Sequence, residues 1–322
     1  MSLKSRRVAF EPQLLLLALG ILFAGCSKVN NTAKPSASVF ASPDDAGNAL
    51  LAAAKSGDQN SLVSIFGPDS KQTLRSGDVV QDKNNVEMFA TGYEKMHRWR
   101  ELQGGAQVLL VGPDNFPFPI PLKKNDHGQW FFDAAAGKDE VLSRRIGRNE
   151  LATIEVCGAV ADAQNQYFSG AHDGETTKQY AIKFISDPGK HNGLYWPSPD
   201  SQPRSPLGPL AAFATSEGYS AKADAHVPFH GYYFRLLKGQ SDKAPGGAKE
   251  YTVDGKTVGG FALVAYPAEY GSSGVMTFII NQDGLLLQKD LGKKTAEAAT
   301  AMSEYDPDSS WNPVTNHEKG VS

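Results

Sequence analysis

Two histidines four residues apart are the first feature of this chain that could do chemistry. His226 and His230 lie in the segment HVPFH. A spacing of four places two imidazoles on one face of a helix, as in many zinc sites, but Pro228 between them disfavours a helix. On an extended strand the two imidazoles would still share a face, so the spacing permits a metal site but does not predict one. We therefore predict no metal and no cofactor, and we take His230 as a candidate for contact with a partner.

Short signatures of catalysis are absent. The sequence contains no G-x-S-x-G, H-E-x-x-H, C-x-x-C or G-x-x-x-x-G-K-[ST]. Ser272 and Ser273 are better explained as loop residues. Cys157 lies on the apolar side of a predicted helix, which favours a buried, inert thiol over a nucleophile. No catalytic residue is predicted, and carboxylates that pair only in the folded chain stay open.

Two other segments offer candidate contact residues. Residues 186–210 form a proline-rich stretch that carries Tyr195 and Trp196. Such a loop either presents its aromatic rings to a peptide or glycan, or is held against the body of the protein by them. Arg148 follows two further arginines and is either a docking residue or part of a solvated charged turn.

The beginning of the chain predicts export. Lys4, Arg6 and Arg7 precede LLLLALGILFAG. This apolar run is shorter than the roughly 20 residues that span a membrane, and it ends in small residues. A basic start, a short apolar core and a small-residue exit are typical of a signal peptide, which we assign to residues 1–25.

The FAGC ending of this signal resembles a bacterial lipobox. The resemblance implies that the thiol of Cys26 is diacylated and anchors the protein in a membrane, although Phe23 stands where Leu is usual. Ordinary signal cleavage and an uncleaved anchor are the alternatives. Ser27 implies outer-membrane sorting by the enteric rule. The polar residues 26–38 would then be a flexible tether, with the domains facing the periplasm or the cell surface.

Composition sets the broad class. The chain has 322 residues, of which 40% are hydrophobic and 10% aromatic, enough for packed cores in about two domains. The formal net charge of -3 provides no broad basic field. We therefore predict no nucleic-acid partner.

Residues 39–140 predict an α+β domain. Ser42 caps a helix that ends at Gly57, a short helix covers SLVSIF, and a third helix runs through residues 84–102. Three strand candidates follow: AQVLLVG, FPFPIPLKK and QWFFDAAAG. The order resembles a cone-shaped, nuclear-transport-factor-like domain. This implies a ligand cavity with His97, Trp99 and Trp130 as lining candidates, unless both indoles are core residues and His97 is solvated.

Residues 141–310 predict a second α+β domain. A long helix, capped by Asn149 if it restarts after Gly147, is followed by the runs GYYFRL, GGFALVAYP, GVMTFIINQDG and LLLQKDLG. A long helix packed on such an antiparallel meander resembles the globular part of type IV pilins and pseudopilins. The pilin polymerisation segment is missing, so the resemblance implies a rigid display module. A tail helix within residues 293–311, which stops at Asp306–Pro307, and a disordered tail over 311–322 would close the chain.

The whole mature chain also resembles a bacterial family of uncharacterised proteins, domain-of-unknown-function family 2950. The segments that carry the resemblance are NFPFPIPL, RRIGRNELATIEVC, PGKHNGLYWP, SPLGPL, HGYYFRLL, GGFALVAYPAEYG and GVMTFIINQDG. The resemblance implies a secreted or lipid-anchored envelope protein and carries no catalytic residue.

These observations favour an envelope lipoprotein with a non-enzymatic binding or scaffold role towards an envelope protein or polysaccharide. The candidate contact residues are Arg148, Tyr195, Trp196 and His230. Two alternatives remain: an envelope hydrolase acting on peptidoglycan or glycan between the two domains, and a small-ligand binder in the first domain.

Overall fold

The computed structural model describes residues 36–198, 204–220 and 227–315. The signal, Cys26, most of the predicted tether, His226 and residues 316–322 lie outside these ranges.

The described residues contain helices and strands in mixed order, with several antiparallel sheets, so the α+β class is confirmed. The helices are α1 Pro43–Ser56, α2 Gln59–Phe66, α3 Lys71–Leu74, α4 Val79–Lys95, α5 Ala134–Phe168, α6 Gly208–Ser216 and α7 Thr295–Ala301. The strands are β1 His97–Glu101, β2 Gln107–Val111, β3 Phe116–Pro117, β4 Leu122–Lys124, β5 Trp130–Phe132, β6 Tyr232–Leu237, β7 Gly239–Gln240, β8 Lys249–Glu250, β9 Thr252–Val253, β10 Lys256–Thr257, β11 Ala262–Pro267, β12 Met276–Asn281, β13 Leu287–Asp290, β14 Glu304–Tyr305 and β15 Asn312–Pro313.

The first helix begins and ends as predicted. The Ser42 side chain accepts a hydrogen bond from the backbone N–H of Asp45, and Gly57 ends α1 in the left-handed conformation. Leu50 and Ala53 are buried as expected. The short second helix ends at Gly67.

The prediction of a third helix through residue 102 is wrong at its end. Helix α4 ends at Lys95, Met96 is extended, and residues 97–101 form β1. Strand β1 pairs with β2 along its whole length, from His97 opposite Val111 to Glu101 opposite Gln107. Hairpin pairing with the next strand along the chain outweighs the helical spacing of the local residues.

The first sheet has the strand order β1-β2-β4-β5, with β3 paired to β2. One face packs against α1 and α2, in a core that includes Leu122, Trp130 and Phe132. The proline-alternating stretch is broken into the short strands β3 and β4, as expected for residues that cannot donate to a ladder.

The long helix starts earlier than predicted. The side chain of Asp133 caps α5 by accepting from the backbone N–H of Ala136, and the helix then continues for 35 residues without a break. It therefore runs through Gly147 and across the predicted domain boundary at residue 140. Asn149 is an interior residue with no exposed surface, so its prediction as a cap is wrong.

The second sheet confirms the predicted meander. Its order is β15-β13-β12-β11-β6. Leu263 of β11 and Phe278 of β12 lie in the core that α5 covers, whereas Val264 and Ile279 lie in the core that includes Ala299 of α7. Both faces of these central strands are therefore buried, which explains their continuous apolar sequences.

The end of the chain is more ordered than predicted. Helix α7 stops at Ala301, well before Asp306, and β14 follows. Trp311 is buried, and Asn312 pairs with Gln288 of β13. The packed part of the chain thus reaches residue 315.

Candidate functional site

A tight hairpin turn places His230. Phe229 and Tyr232 exchange both backbone hydrogen bonds, at 2.9 and 3.1 Å, which leaves His230 and Gly231 as the two central residues of the turn. Both have positive φ values, +49° for His230 and +75° for Gly231. This is the pattern of the two-residue turn that matches the twist of a hairpin, and Asn-Gly is its usual sequence. A histidine in this conformation is uncommon.

The turn meets Asp78 at the start of α4. Asp78 is 1% exposed. One of its carboxylate oxygens, Oδ1, accepts from the backbone N–H of Gln81 at 3.0 Å and so caps α4. The other, Oδ2, accepts from the Tyr219 hydroxyl at 2.8 Å and from the Gly231 backbone N–H at 3.0 Å. Three donors compensate the burial of this side chain. Burial, followed by the hydrogen bond to Asp78 and its charge, raises the pKa of Tyr219, so the phenol stays a neutral donor.

A second set of hydrogen bonds joins the same elements to α5. The Gln81 amide nitrogen donates to Asn149 Oδ1 at 2.9 Å, and Asn149 Nδ2 donates to the Ser273 carbonyl oxygen at 2.8 Å. We call these connected residues the polar junction: Asp78, Gln81, Asn149, Tyr219, His230 and Gly231. It ties the start of α4, the middle of α5 and the hairpin turn together.

Two arginines of α5 flank the polar junction and differ in their partners. Arg145 is buried and donates to the carbonyl oxygens of Thr73 and Arg75. Arg148 is exposed, and it makes no hydrogen bond or salt bridge with any residue that the structure describes. Desolvation lowers the pKa of Arg148, the Asp82 carboxylate opposes that shift, and the guanidinium stays charged at neutral pH.

A groove lies beside the junction. His230 Nε2 is 3.0 Å from Glu217 Oε2, and these side chains are 15% and 31% exposed. The hollow next to this pair has a volume of about 330 Å³ and is mostly apolar. Its lining residues come from α5, α6 and the turn: Ala152, Glu155, Val156, Ala159, Leu210, Phe213 and His230. Phe213 is 50% exposed, and Leu151, one turn before Glu155 on α5, is 60% exposed.

The two sequence candidates in the proline-rich loop lie elsewhere. Trp196 is only 6% exposed, and its ring packs near the rings of Tyr167, His172 and His191 at centroid distances of 6.5, 6.0 and 4.6 Å. Tyr195 is half-buried. Burial of Trp196 favours the alternative in which the aromatic residues hold the loop down. We call Tyr167, His172, His191 and Trp196 the aromatic cluster. It meets α5 about 18 Å along the helix axis from Glu155, at 1.5 Å per residue.

The lining candidates of the first sheet are also mostly packed. Trp130 is buried, and Trp99 packs against the same core. His97 is exposed, with its ring stacked on Tyr93 at 3.8 Å. The two indoles therefore act as core residues, as the alternative to a ligand cavity expected.

Other chemistry finds little support in the described residues. Within them, no group of three or more His, Cys, Asp and Glu side chains is placed to hold a metal ion. Cys157 has no exposed surface, and burial raises the pKa of its thiol, which confirms that the thiol is buried. None of the helices in residues 36–315 that the structure describes is long and apolar enough to cross a membrane.

Comparison with known proteins assigns the chain to one family. The sequence profile described as "Protein of unknown function (DUF2950)" matches residues 37–314. Because the match covers most of the chain, the protein belongs to this family, and the resemblance drawn from its sequence is confirmed. No curated protein and no solved structure matches the chain.

Proposed function

We propose that this protein is a non-enzymatic envelope lipoprotein that binds a protein partner through the groove beside the polar junction. The observation that carries the proposal is Arg148. It is an exposed cation without a partner among the described residues, and it stands one helical turn from the exposed side chain of Leu151. Side chains that are left both charged and unpaired on a structured surface are candidates for pairing across an interface.

The chemistry of the groove defines the partner. Phe213 in the groove and Leu151, next to Ala152 on α5, both expose apolar surface. An apolar segment with one carboxylate would fill the hollow and pair with the guanidinium of Arg148. Buried apolar contacts around one arginine are typical of the residues that dominate binding energy at protein interfaces. The rigid backbone of the junction holds the groove in shape, which lowers the entropy cost of binding.

Site-specific photo-crosslinking in intact cells tests this proposal. A photoreactive residue replaces Leu151 in the full-length protein, with the same residue at Ile182, which is 65% exposed, as the position control. We expect a discrete adduct from position 151 that Arg148→Glu abolishes and that the matched variant Arg100→Glu retains. No adduct from position 151, or an adduct that survives Arg148→Glu, would overturn the proposal.

The membrane anchor and the display role are part of the same proposal. Cys26 would carry the acyl chains that hold the protein in the outer membrane, since two or more chains are needed for stable anchoring. Residues 39–140 and 141–310 would act as two domains, the first cone-shaped and the second pilin-like. The packing of α5 on the antiparallel sheet supports the pilin-like description. Cys26→Ser should release the protein from the membrane fraction and remove the adduct if the partner is membrane-bound.

A hydrolase is the second candidate, and one observation favours it. The pair of His230 and Glu217, 3.0 Å apart beside a hollow, has the geometry of a general base and its orienting carboxylate. Fluorescently labelled peptidoglycan fragments test it. Turnover by the wild-type protein that His230→Gln abolishes would favour the hydrolase, and an equal rate for both proteins would exclude this pair as its site.

A further inference from the structure

The first sheet carries a second hollow at one end, far along the chain from the groove. Its volume is about 620 Å³, within the size range of small-molecule sites. Its walls are the turn between β1 and β2, with Glu101, Gln103 and Gln107, and the β4–β5 hairpin, with Lys124 and Trp130.

The strand register shows why this end of the sheet is open and polar. Glu101 lies opposite Gln107, Gln107 lies opposite Leu122, and Lys124 lies opposite Trp130. Residues directly opposite each other in antiparallel strands share a face. Leu122 has no exposed surface and belongs to the core under α1 and α2. The polar residues therefore continue the core face of the sheet to a place where the face is no longer covered.

The two lysines at this end, Lys123 and Lys124, have different partners. The Lys123 ammonium is 2.8 Å from Asp133 Oδ2, in a salt bridge. The Lys124 ammonium lies 4.9 Å from the centroid of the Trp130 ring. It forms no salt bridge with any residue in the described ranges. The cation–π contact holds this ammonium at the wall of the hollow, so an anion would meet a charge that is already in place.

The remaining polar groups suit hydroxyl groups. The side chains of Glu101, Gln103 and Gln107 make no hydrogen bond with another described residue. Each glutamine amide offers two N–H donors and one acceptor in a plane, and a carboxylate offers two acceptors. Neighbouring hydroxyls of a sugar ring present donors and acceptors at matching spacing. A ring-shaped polyol with one carboxylate would satisfy these amides and the Lys124 ammonium together.

We propose that this hollow binds an acidic oligosaccharide, with Lys124 paired to a sugar carboxylate and Gln103, Gln107 and Glu101 bonded to sugar hydroxyls. The site shares no lining residue with the groove at His230 and does not depend on the function proposed there. It would give the protein contact with an envelope polysaccharide as well as with a protein.

Isothermal titration calorimetry with oligogalacturonate tests the site, with the carboxyl-reduced form of the same oligosaccharide as the ligand control. We expect the wild-type protein to bind the acidic form at least tenfold more tightly. Lys124→Gln should remove that preference, whereas Lys95→Gln, at an exposed lysine outside the hollow, should keep it. Gln107→Ala should weaken both sugars, because it removes a contact to hydroxyls.

Two results would overturn the proposal. One is the absence of binding to oligogalacturonate by the wild-type protein. The other is a preference for the acidic form that Lys124→Gln leaves intact, since the charge would then be read elsewhere. Unchanged circular dichroism and an unchanged unfolding midpoint for Lys124→Gln would show that the loss is local, as expected for an exposed side chain.

Discussion

The polar junction and the aromatic cluster both contain residues that the sequence singles out for contact with a partner, and they are built on opposite principles. In the aromatic cluster, rings pack on rings: Tyr167 stacks on His172 at 3.9 Å, and Trp196 is buried beside them. In the polar junction, hydrogen bonds to charged or amide side chains hold the elements, with Asp78 at the centre.

The two regions differ in which side chains they leave exposed. The Tyr167 hydroxyl donates to the carbonyl oxygen of His191 at 2.6 Å, and burial raises the pKa of Tyr167 to about 12. The aromatic cluster thus uses its rings and its hydroxyl for packing and hydrogen bonding within the protein. Beside the junction, Phe213 is half exposed in the groove, and Arg148, one turn before Ala152 on α5, has no ion pair among the described residues. In this protein, aromatic residues in a loop therefore indicate a binding surface less well than a polar turn with a strained backbone does.

Replacement of Trp196 should have the largest effect on stability. It tests whether this tryptophan packs the loop or contacts a partner. Trp196→Ala deletes a buried ring and should lower the free energy of unfolding by about 3–5 kcal/mol. Urea denaturation followed by circular dichroism measures this. At a temperature where the variant is still folded, the photo-adduct from position 151 should remain.

The control is Trp196→Phe, which keeps an aromatic ring and should cost less than Trp196→Ala. If Trp196→Ala retained full stability but lost the adduct, the tryptophan would be a contact residue after all. The distinction between the two regions would then be incorrect.

Substitution of Gly231 should have an intermediate effect, because this glycine is where the hairpin turn meets α5. Its φ is +75°, and an added Cβ would lie 2.5 Å from Asn149 Nδ2. Gly284 has nearly the same φ, +76°, and nothing within 4 Å of its added Cβ. Backbone strain alone costs about 1–2 kcal/mol at either position. Gly231→Ala should cost about 1–3 kcal/mol more than Gly284→Ala, because it disturbs a buried hydrogen bond.

Equal unfolding midpoints for the two glycine variants would contradict this account of the junction. We also expect Gly231→Ala, but not Gly284→Ala, to weaken the photo-adduct, since the turn positions His230 in the groove.

Local signals in the sequence were sufficient for much of the fold. Ser42 and Gly57 mark both ends of α1, because capping chemistry acts within a few residues. The meander of β6, β11, β12 and β13 follows from apolar runs joined in order. The segment 97–101 was assigned wrongly because the spacing of its apolar residues matches a helix, and that spacing does not report the hairpin pairing with β2.

The site was predicted only in part, for a related reason. His230, which lines the groove, and Arg148, one turn before Ala152 on α5, were identified. Asp78, Tyr219 and Glu217 were missed. One signal could have found Asp78: it precedes Gln81 by three residues at the start of an apolar run, which matches a helix-capping pattern. Its bonds to Tyr219 and Gly231 cross 141 and 153 residues of chain, and no local pattern encodes such contacts.

The pH dependence of stability should show the smallest effect and sharpens the comparison, because the aromatic cluster has no counterpart to the buried charge near the junction. Burial, the largest cause, raises the pKa of Asp82 despite a hydrogen bond from the Ser76 backbone N–H. The folded state thus holds this proton more tightly than the unfolded state does. Stability from this group is greatest below the unfolded pKa and is lost as the pH rises through the folded pKa. Asp82→Asn should therefore raise stability slightly at neutral pH, and its difference from the wild type should disappear below the unfolded pKa. Asp58→Asn should do the reverse: the backbone hydrogen bond from Asn60 lowers the pKa of Asp58, so its contribution is present at neutral pH and is lost as the pH falls.

Urea midpoints of the three proteins measured from acid to neutral pH check both signs. A loss of stability at neutral pH in Asp82→Asn would mean that the attraction between the Asp82 carboxylate and nearby Arg145 outweighs the cost of burying that carboxylate.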